Sequence, residues 1–356
     1  MGAGDGGTAV TGGVDRVAAL SGDQSGGVRR PCLTLAMSDY DHVRDLMYGR
    51  VGVEGVQLMP LTLSIEEIFY RFTKYREWDL SEMSMGKYVS LLSQNDFSLT
   101  AIPVFPSRVF RHSSIYIRRD GPVKTPGDLK GKRIGLPEWA QTAAVYSRGM
   151  LMHEYGLKLQ DVEWIQAGVN QPGRVEKVTL NLPEAVRYQS APTKTLNGML
   201  LSGEVDAVLS AHPPEAFKAA HPNVGRMFEN YREVEEAYYR KTGIFPIMHT
   251  VAIRKPVLEL YPWVAMNLFR AFEEAKGRSL ARALEVTAPR FPVPWCFEYA
   301  QRCTEVFGKD LFPYGVEPNR TTLEAFVTYA WEQGVCHRKV AVEELFPPAL
   351  TTSFKV

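Results

Sequence analysis

Between positions 108 and 112 the chain carries two arginines and a histidine, Arg108, Arg111 and His112, just ahead of the alternating apolar run Ile115-Tyr116-Ile117. Guanidinium groups are planar, permanently charged forks that match carboxylates. Imidazole is the side chain best suited to moving a proton near neutral pH. The segment therefore points to a site that holds an acidic small molecule and protonates it; a solvated basic turn before a strand is the competing reading. A second histidine, His249, stands in another strand-like apolar run, Ile244 to Ile253.

The elements that must position these residues follow from periodicity. Cys32 to Met37 reads as a strand and leads into Ser38-Asp39-Tyr40-Asp41-His42. Ser64-Ile65-Glu66-Glu67 has the form of a capping box, and Ile65, Ile68, Phe69 and Phe72 repeat at helical spacing. A short strand is expected near Trp78 to Leu80, then Ser81-Glu82-Met83-Ser84, a helix to about Gln94, and a strand from Leu99 to Phe105. The turn-rich run Lys124 to Arg133 enters the strand Ile134 to Leu136, and Pro137 to Thr142 opens a helix. Further on come a helix from Leu196 to Leu201, a strand from Val205 to Leu209, and Ser210-Ala211-His212-Pro213-Pro214. Helices dominate the C-terminal part, where Val264, Leu268, Ala271 and Ala275 share one face. Strands alternating with helices imply an α/β fold with mostly parallel sheets.

A chain of 356 residues suits two lobes rather than one small core. Hydrophobic residues make up 45% and charged residues 23%, an ordinary balance for a globular protein. With a formal net charge of +1 and no basic run interleaved with aromatics, no nucleic-acid partner is expected. Nor does any apolar stretch reach the roughly 18 residues of a membrane span. Cys32, Cys296, Cys303 and Cys336 lie far apart, without a C-x-x-C pair or zinc spacing. They fit a reduced, metal-free, cytoplasmic chain, with Cys296 and Cys303 as buried fillers on a helix. Residues 1–30 read as a disordered leader rich in Gly, Ser, Thr and Ala. The apolar stretch after Arg29-Arg30 is broken by Asp39 and Asp41, which argues against an export signal. The expected partner is a small molecule, and a homo-oligomer is compatible with the sequence.

Two runs, Lys124-Thr125-Pro126-Gly127-Asp128-Leu129-Lys130-Gly131-Lys132-Arg133-Ile134-Gly135 and Gly203-Glu204-Val205-Asp206-Ala207, resemble the second lobe of type II periplasmic-binding-protein folds. Longer blocks are similar to the 4,5-dihydroxyphthalate decarboxylase family: Gly49 to Val56, Asp79 to Ser84, Ile102 to Ser113, Thr142 to Leu151 and Tyr238 to His249. The resemblance covers about residues 32–275. It implies two lobes, residues 31–117 with 248–356 and residues 118–247, joined by crossing hinge strands near Ser113–Arg118 and Ile247–Ile253. Ligands of open α/β sheets bind beyond the carboxyl ends of strands, where Tyr40, Glu82, Arg108, Gln141 and His212 are expected.

The resemblance implies decarboxylation of 4,5-dihydroxyphthalate to 3,4-dihydroxybenzoate without metal or organic cofactor, the aromatic ring serving as electron sink. On that reading His112 and His249 handle the proton, with Glu82 orienting a histidine or taking the phenolic proton. Arg108 and Arg111 clamp the remaining carboxylate, aided by Gln141 and Thr142 at a helix start; one arginine bracing the lobe is the alternative. Tyr40, Arg148 and His212 complete the binding candidates, and Trp139 suits aromatic stacking. Two other functions compete: a binding protein that delivers an aromatic acid to a transporter, and an enzyme of the same fold resembling chorismate dehydratase or the thiamine-pyrimidine synthases.

Overall fold

The apolar run Cys32–Met37 forms a strand (β1) that pairs in parallel with Gln57–Thr62 (β2) and Leu80–Ser84 (β3). The computed structural model describes residues 30–351, so the expected leader lies, but for Arg30, outside the described residues. Leu99–Ile102 (β4) follows, and the chain then leaves for a second sheet. That sheet is made of Ile115–Arg118 (β5), Arg133–Leu136 (β6), Glu163–Gly168 (β7), Arg187–Thr195 (β8), Ala207–Leu209 (β9) and Val224–Arg226 (β10). The chain returns as His249–Arg254 (β11). The sheet orders are β2-β1-β3-β11-β4 and β10-β5-β9-β6-β7-β8.

Each sheet is mixed, its strands mostly parallel as expected. Its parallel core takes in one antiparallel strand, supplied by the chain as it arrives from the other lobe: β11 between β3 and β4, and β5 between β9 and β10. The segments that actually cross precede these strands. Val109 N–H donates to the Pro246 carbonyl at 3.2 Å, and Met248 N–H to that of Ser107 at 2.8 Å, so the two crossings hold each other as a short antiparallel pair.

Four helices matter for the site: Asp41–Met47 (α1), Ile65–Tyr75 (α2), Met85–Ser93 (α3) and Thr142–Tyr155 (α4). The stripe predicted for α2 is buried at Ile68 and Phe72, yet Ser64 makes no side-chain cap bond. Glu67, which would complete the capping box, pairs with Arg71 instead. Val264, Leu268, Ala271 and Ala275 are buried on the helix Val264–Ala283, which packs on α1.

The helical C-terminal part touches both lobes. The helix Arg320–Glu332 contacts α3 and α4, and Phe326 stacks on Tyr146 with ring centroids 4.8 Å apart. Gly149 of α4 is required there, because a Cβ would lie 2.2 Å from the Tyr329 ring. Cys296 and Cys303 are only partly buried, unlike the core fillers expected; among the described residues all four cysteines are free. Among the same residues, no helix is long and apolar enough to cross a membrane.

Candidate active site

β3 and β11 run antiparallel with Glu82 opposite Val251 and Ser84 opposite His249. Directly opposed residues share a sheet face, and diagonal neighbours on that face meet. This places Glu82 beside His249: Glu82 Oε1 lies 2.6 Å from His249 Nδ1. Tyr40, at the N-terminus of α1, donates its hydroxyl to the same Oε1 at 2.6 Å, and Ser38 N–H donates to Oε2 at 3.0 Å. Glu82 is fully buried. Burial alone would raise its carboxyl pKa, but His249, Tyr40 and the Ser38 amide hold it below the usual value. Burial and the neighbouring Glu82 push the Tyr40 phenol well above its usual range, so it stays a donor.

With Glu82 ionised, His249 Nδ1 carries a proton and the carboxylate fixes the ring, the arrangement that orients catalytic imidazoles. Phe69 of α2 meets the ring edge-on, centroids 4.8 Å apart at 88°. Nε2 takes no hydrogen bond among the described residues. His249 lines a cleft of about 310 Å³ between the lobes, together with Phe69, Lys87, Arg111, Gln141 and Thr142.

Cations gather in the same cleft. α3 starts where β3 ends, and its Lys87 reaches across to Glu138, just beyond β6, at 2.7 Å with both side chains buried. Arg174 and Lys177, from the loop between β7 and β8, contact the other oxygen of Glu138 at 2.7 and 3.3 Å. Burial would raise the Glu138 pKa, but these three cations hold it low; burial lowers that of Lys87 against the pull of Glu138. The lobes approach here through Gly86, whose N–H donates to Thr142 Oγ1 at 2.9 Å. A Cβ at Gly86 would stand 2.5 Å from the Ala140 carbonyl, which makes glycine necessary.

Seven of the expected site residues fall into two groups. Tyr40, Glu82 and His249 form one hydrogen-bonded cluster, and Arg111, Gln141, Thr142 and His212 line the cleft. Arg111 is buried, makes no salt bridge among the described residues although it feels the charge of Glu235, and donates to Met248 Sδ at 2.7 and 3.2 Å. Burial pushes its pKa down to about 10. Gln141 Oε1 is buried without a hydrogen-bond partner among the described residues. His212 sits at the exposed edge and meets Glu66 of α2 at 3.1 Å, linking the lobes.

Three expectations do not match the placement. His112 packs between Phe228 and Tyr238, away from the cleft lining, because the turn after Arg111 rotates it into an aromatic cluster. Arg108 braces the fold: it donates to the carbonyls of Phe245 and Pro313 at 2.7 and 3.0 Å and lies over the Phe245 ring. Arg148 is fully buried, bonded to Gln333 and the Trp139 carbonyl and stacked on the Trp139 ring. Trp139 is itself a core residue. Sequence reasoning missed Lys87, Glu138, Arg174 and Lys177. Only Glu138, directly after a strand, carried the positional signal of a cleft residue; Arg174 and Lys177 lie in a loop without periodicity.

Two α/β lobes, two mutually paired crossings and a cleft between them define a type II periplasmic-binding-protein-like fold. Residues 108–176 match the family described as NMT1/THI5 like. Among solved structures, the chain is similar to the periplasmic aliphatic sulphonate binding protein SsuA from Escherichia coli. The TM-score is 0.49 at 12% identity, over 90% of this chain and 98% of that one.

Closer relatives exist in sequence. The chain is 36% identical over 325 residues to a 4,5-dihydroxyphthalate decarboxylase of Comamonas testosteroni, spanning 91% of this chain and 98% of the relative. It is 41% identical over 209 residues to one from Pseudomonas putida, spanning 58% and 81%. The chain belongs to the 4,5-dihydroxyphthalate decarboxylase family and is thereby a carboxy-lyase.

Proposed function

We propose that this enzyme converts 4,5-dihydroxyphthalate to 3,4-dihydroxybenzoate and carbon dioxide by protonating a ring carbon in the interlobe cleft, without a cofactor. The observation that carries this reading is the 2.6 Å contact between His249 Nδ1 and Glu82 Oε1, which leaves Nε2 without a partner among the described residues in a cation-lined cleft. Each carboxyl-bearing carbon of this substrate has a hydroxyl para to it. Electron release from that oxygen makes the carbon basic enough to accept a proton from imidazolium Nε2–H. The carbon–carboxylate bond then breaks, its electron pair restores the aromatic ring, and carbon dioxide leaves. One proton is consumed, and solvent returns it to His249.

Glu82 stabilises the imidazolium that precedes each turnover, and Tyr40 and the Ser38 amide keep Glu82 ionised. Arg111, a buried cation that makes no salt bridge among the described residues, suits the carboxylate that stays. Buried polar atoms are nearly always paired, so the unpartnered Gln141 Oε1 suits a phenolic hydroxyl as donor. We also read the enzyme as cytosolic, on the broken apolar pattern after Arg29-Arg30.

The test is incubation of purified protein with a panel of hydroxylated benzoates and phthalates, without added cofactor, while carbon dioxide and product are monitored. Release from 4,5-dihydroxyphthalate with 3,4-dihydroxybenzoate as product supports the reading. Turnover confined to another acid, or none without an added metal or cofactor, overturns it.

A further inference from the structure

We infer that Lys87, Arg174 and Lys177, gathered on Glu138, are the specificity-determining group that makes the cleft prefer a ring with two adjacent carboxylates over a ring with one; this rests on the reading of the cleft as the substrate site. Lys87 reaches Glu138 from the first lobe, while Arg174 and Lys177 reach it from the second. Glu138 and Lys87 are almost completely removed from water. A buried ion pair is weak evidence of stabilisation, because desolvation offsets the attraction, so a buried cluster at a cleft wall calls for a use.

Charge supplies that use. Three cations contact one carboxylate, leaving two positive charges without an anion in contact among the described residues; Glu66, whose charge Arg174 also feels, is engaged by His212 at 3.1 Å. Glu176, close by, turns its oxygens to the backbone N–H groups of Ala140 and Lys177 at 3.1 and 3.0 Å. Arg111 lines the same cleft and makes no salt bridge among the described residues, with Glu235 acting on it only through its field. A monocarboxylate is matched by Arg111 alone and leaves the group on Glu138 unanswered. A second carboxylate beside the first answers it, and Glu138 holds the cations in position until that carboxylate arrives. Lys87 and Glu138 come from different lobes, so the seat is complete only when the cleft is closed.

Calorimetric titration of the whole protein with phthalate, terephthalate and benzoate tests this, because these acids lack the hydroxyls that decarboxylation needs. Terephthalate has the charge of phthalate with its carboxylates at opposite ends. Wild-type protein is expected to bind phthalate more tightly than either of the others. In the double variant Arg174→Gln/Lys177→Gln, at positions partly open to solvent, phthalate affinity should fall about 10- to 100-fold, the span of one or two charge-assisted hydrogen bonds. Benzoate should change by less than about threefold, its carboxylate resting on a single guanidinium. Lys177→Arg should keep the preference. Equal losses for all three acids, an unchanged double variant, or a wild type without preference overturns the inference. A clear phthalate preference with no carbon dioxide from any dihydroxylated acid leaves this inference standing and removes the decarboxylation reading; the reverse pattern does the opposite.

Discussion

His249 and Glu82 are 167 positions apart in the chain, yet His249 Nδ1 and Glu82 Oε1 stand 2.6 Å apart. The antiparallel register of β11 on β3 makes them diagonal neighbours on one sheet face. The pair therefore exists only when the chain has left the first lobe and come back. A strand laid down by that return carries His249, and the strand it joins carries Glu82.

On the proposed mechanism the Glu82 carboxylate acts through His249, so Glu82→Gln should lower kcat by about 10²-fold, within the usual range for a positioned acid or base. Its pH–rate profile should shift, because the imidazolium loses its counter-charge. Tyr40→Phe removes one hydrogen bond to the same oxygen and should cost less, about tenfold in kcat. Profiles of both variants that overlay the wild type would show that Glu82 only packs.

Much of this cluster was legible in sequence, because strand ends and apolar runs mark where an α/β cleft forms. Tyr40 and His249 stand at such ends, and Glu82 lies inside β3, a strand that runs to Ser84 rather than stopping at Leu80. Arg108 and His112 misled for a physical reason: a crossing segment turns sharply, and their direction is set by Phe245, Phe228 and Tyr238, distant in sequence. The strand β8, largely exposed and polar, and the loop with Arg174 and Lys177 carry no periodicity from which to place them.

The two arginines near the crossing should separate cleanly. Arg111→Met should raise KM about 10- to 100-fold through loss of a charge-assisted contact, with little change in melting temperature. Arg108→Met should instead lower the melting temperature, because it leaves the Phe245 and Pro313 carbonyls without their donor, and should barely alter KM. Calorimetric binding and thermal melting of both variants decide this.

His112 should be dispensable for chemistry and costly at low pH. Burial pushes its pKa, like that of His42, down to about 4. The unfolded chain takes up these protons near pH 6.5 while the folded chain refuses them until about 4, so stability is full above pH 6.5 and is lost as pH falls through that window. Each group is worth roughly 3 kcal/mol at most across it. His112→Asn should keep kcat within about threefold of wild type, outside the loss expected of an acid or base. It should also flatten the fall in denaturation free energy between pH 6.5 and 4, measured by urea titration.

Transfer of a proton from His249 to the ring carbon is tested by single-turnover kinetics of His249→Asn with 4,5-dihydroxyphthalate in heavy water. Wild-type enzyme should release carbon dioxide and place one deuterium at the vacated carbon, read by nuclear magnetic resonance. The variant should bind phthalate as wild type does and decarboxylate at least about 10²-fold more slowly. A variant that folds, binds and turns over within about threefold of wild type, less than any positioned acid contributes, would contradict the assignment of the proton to His249.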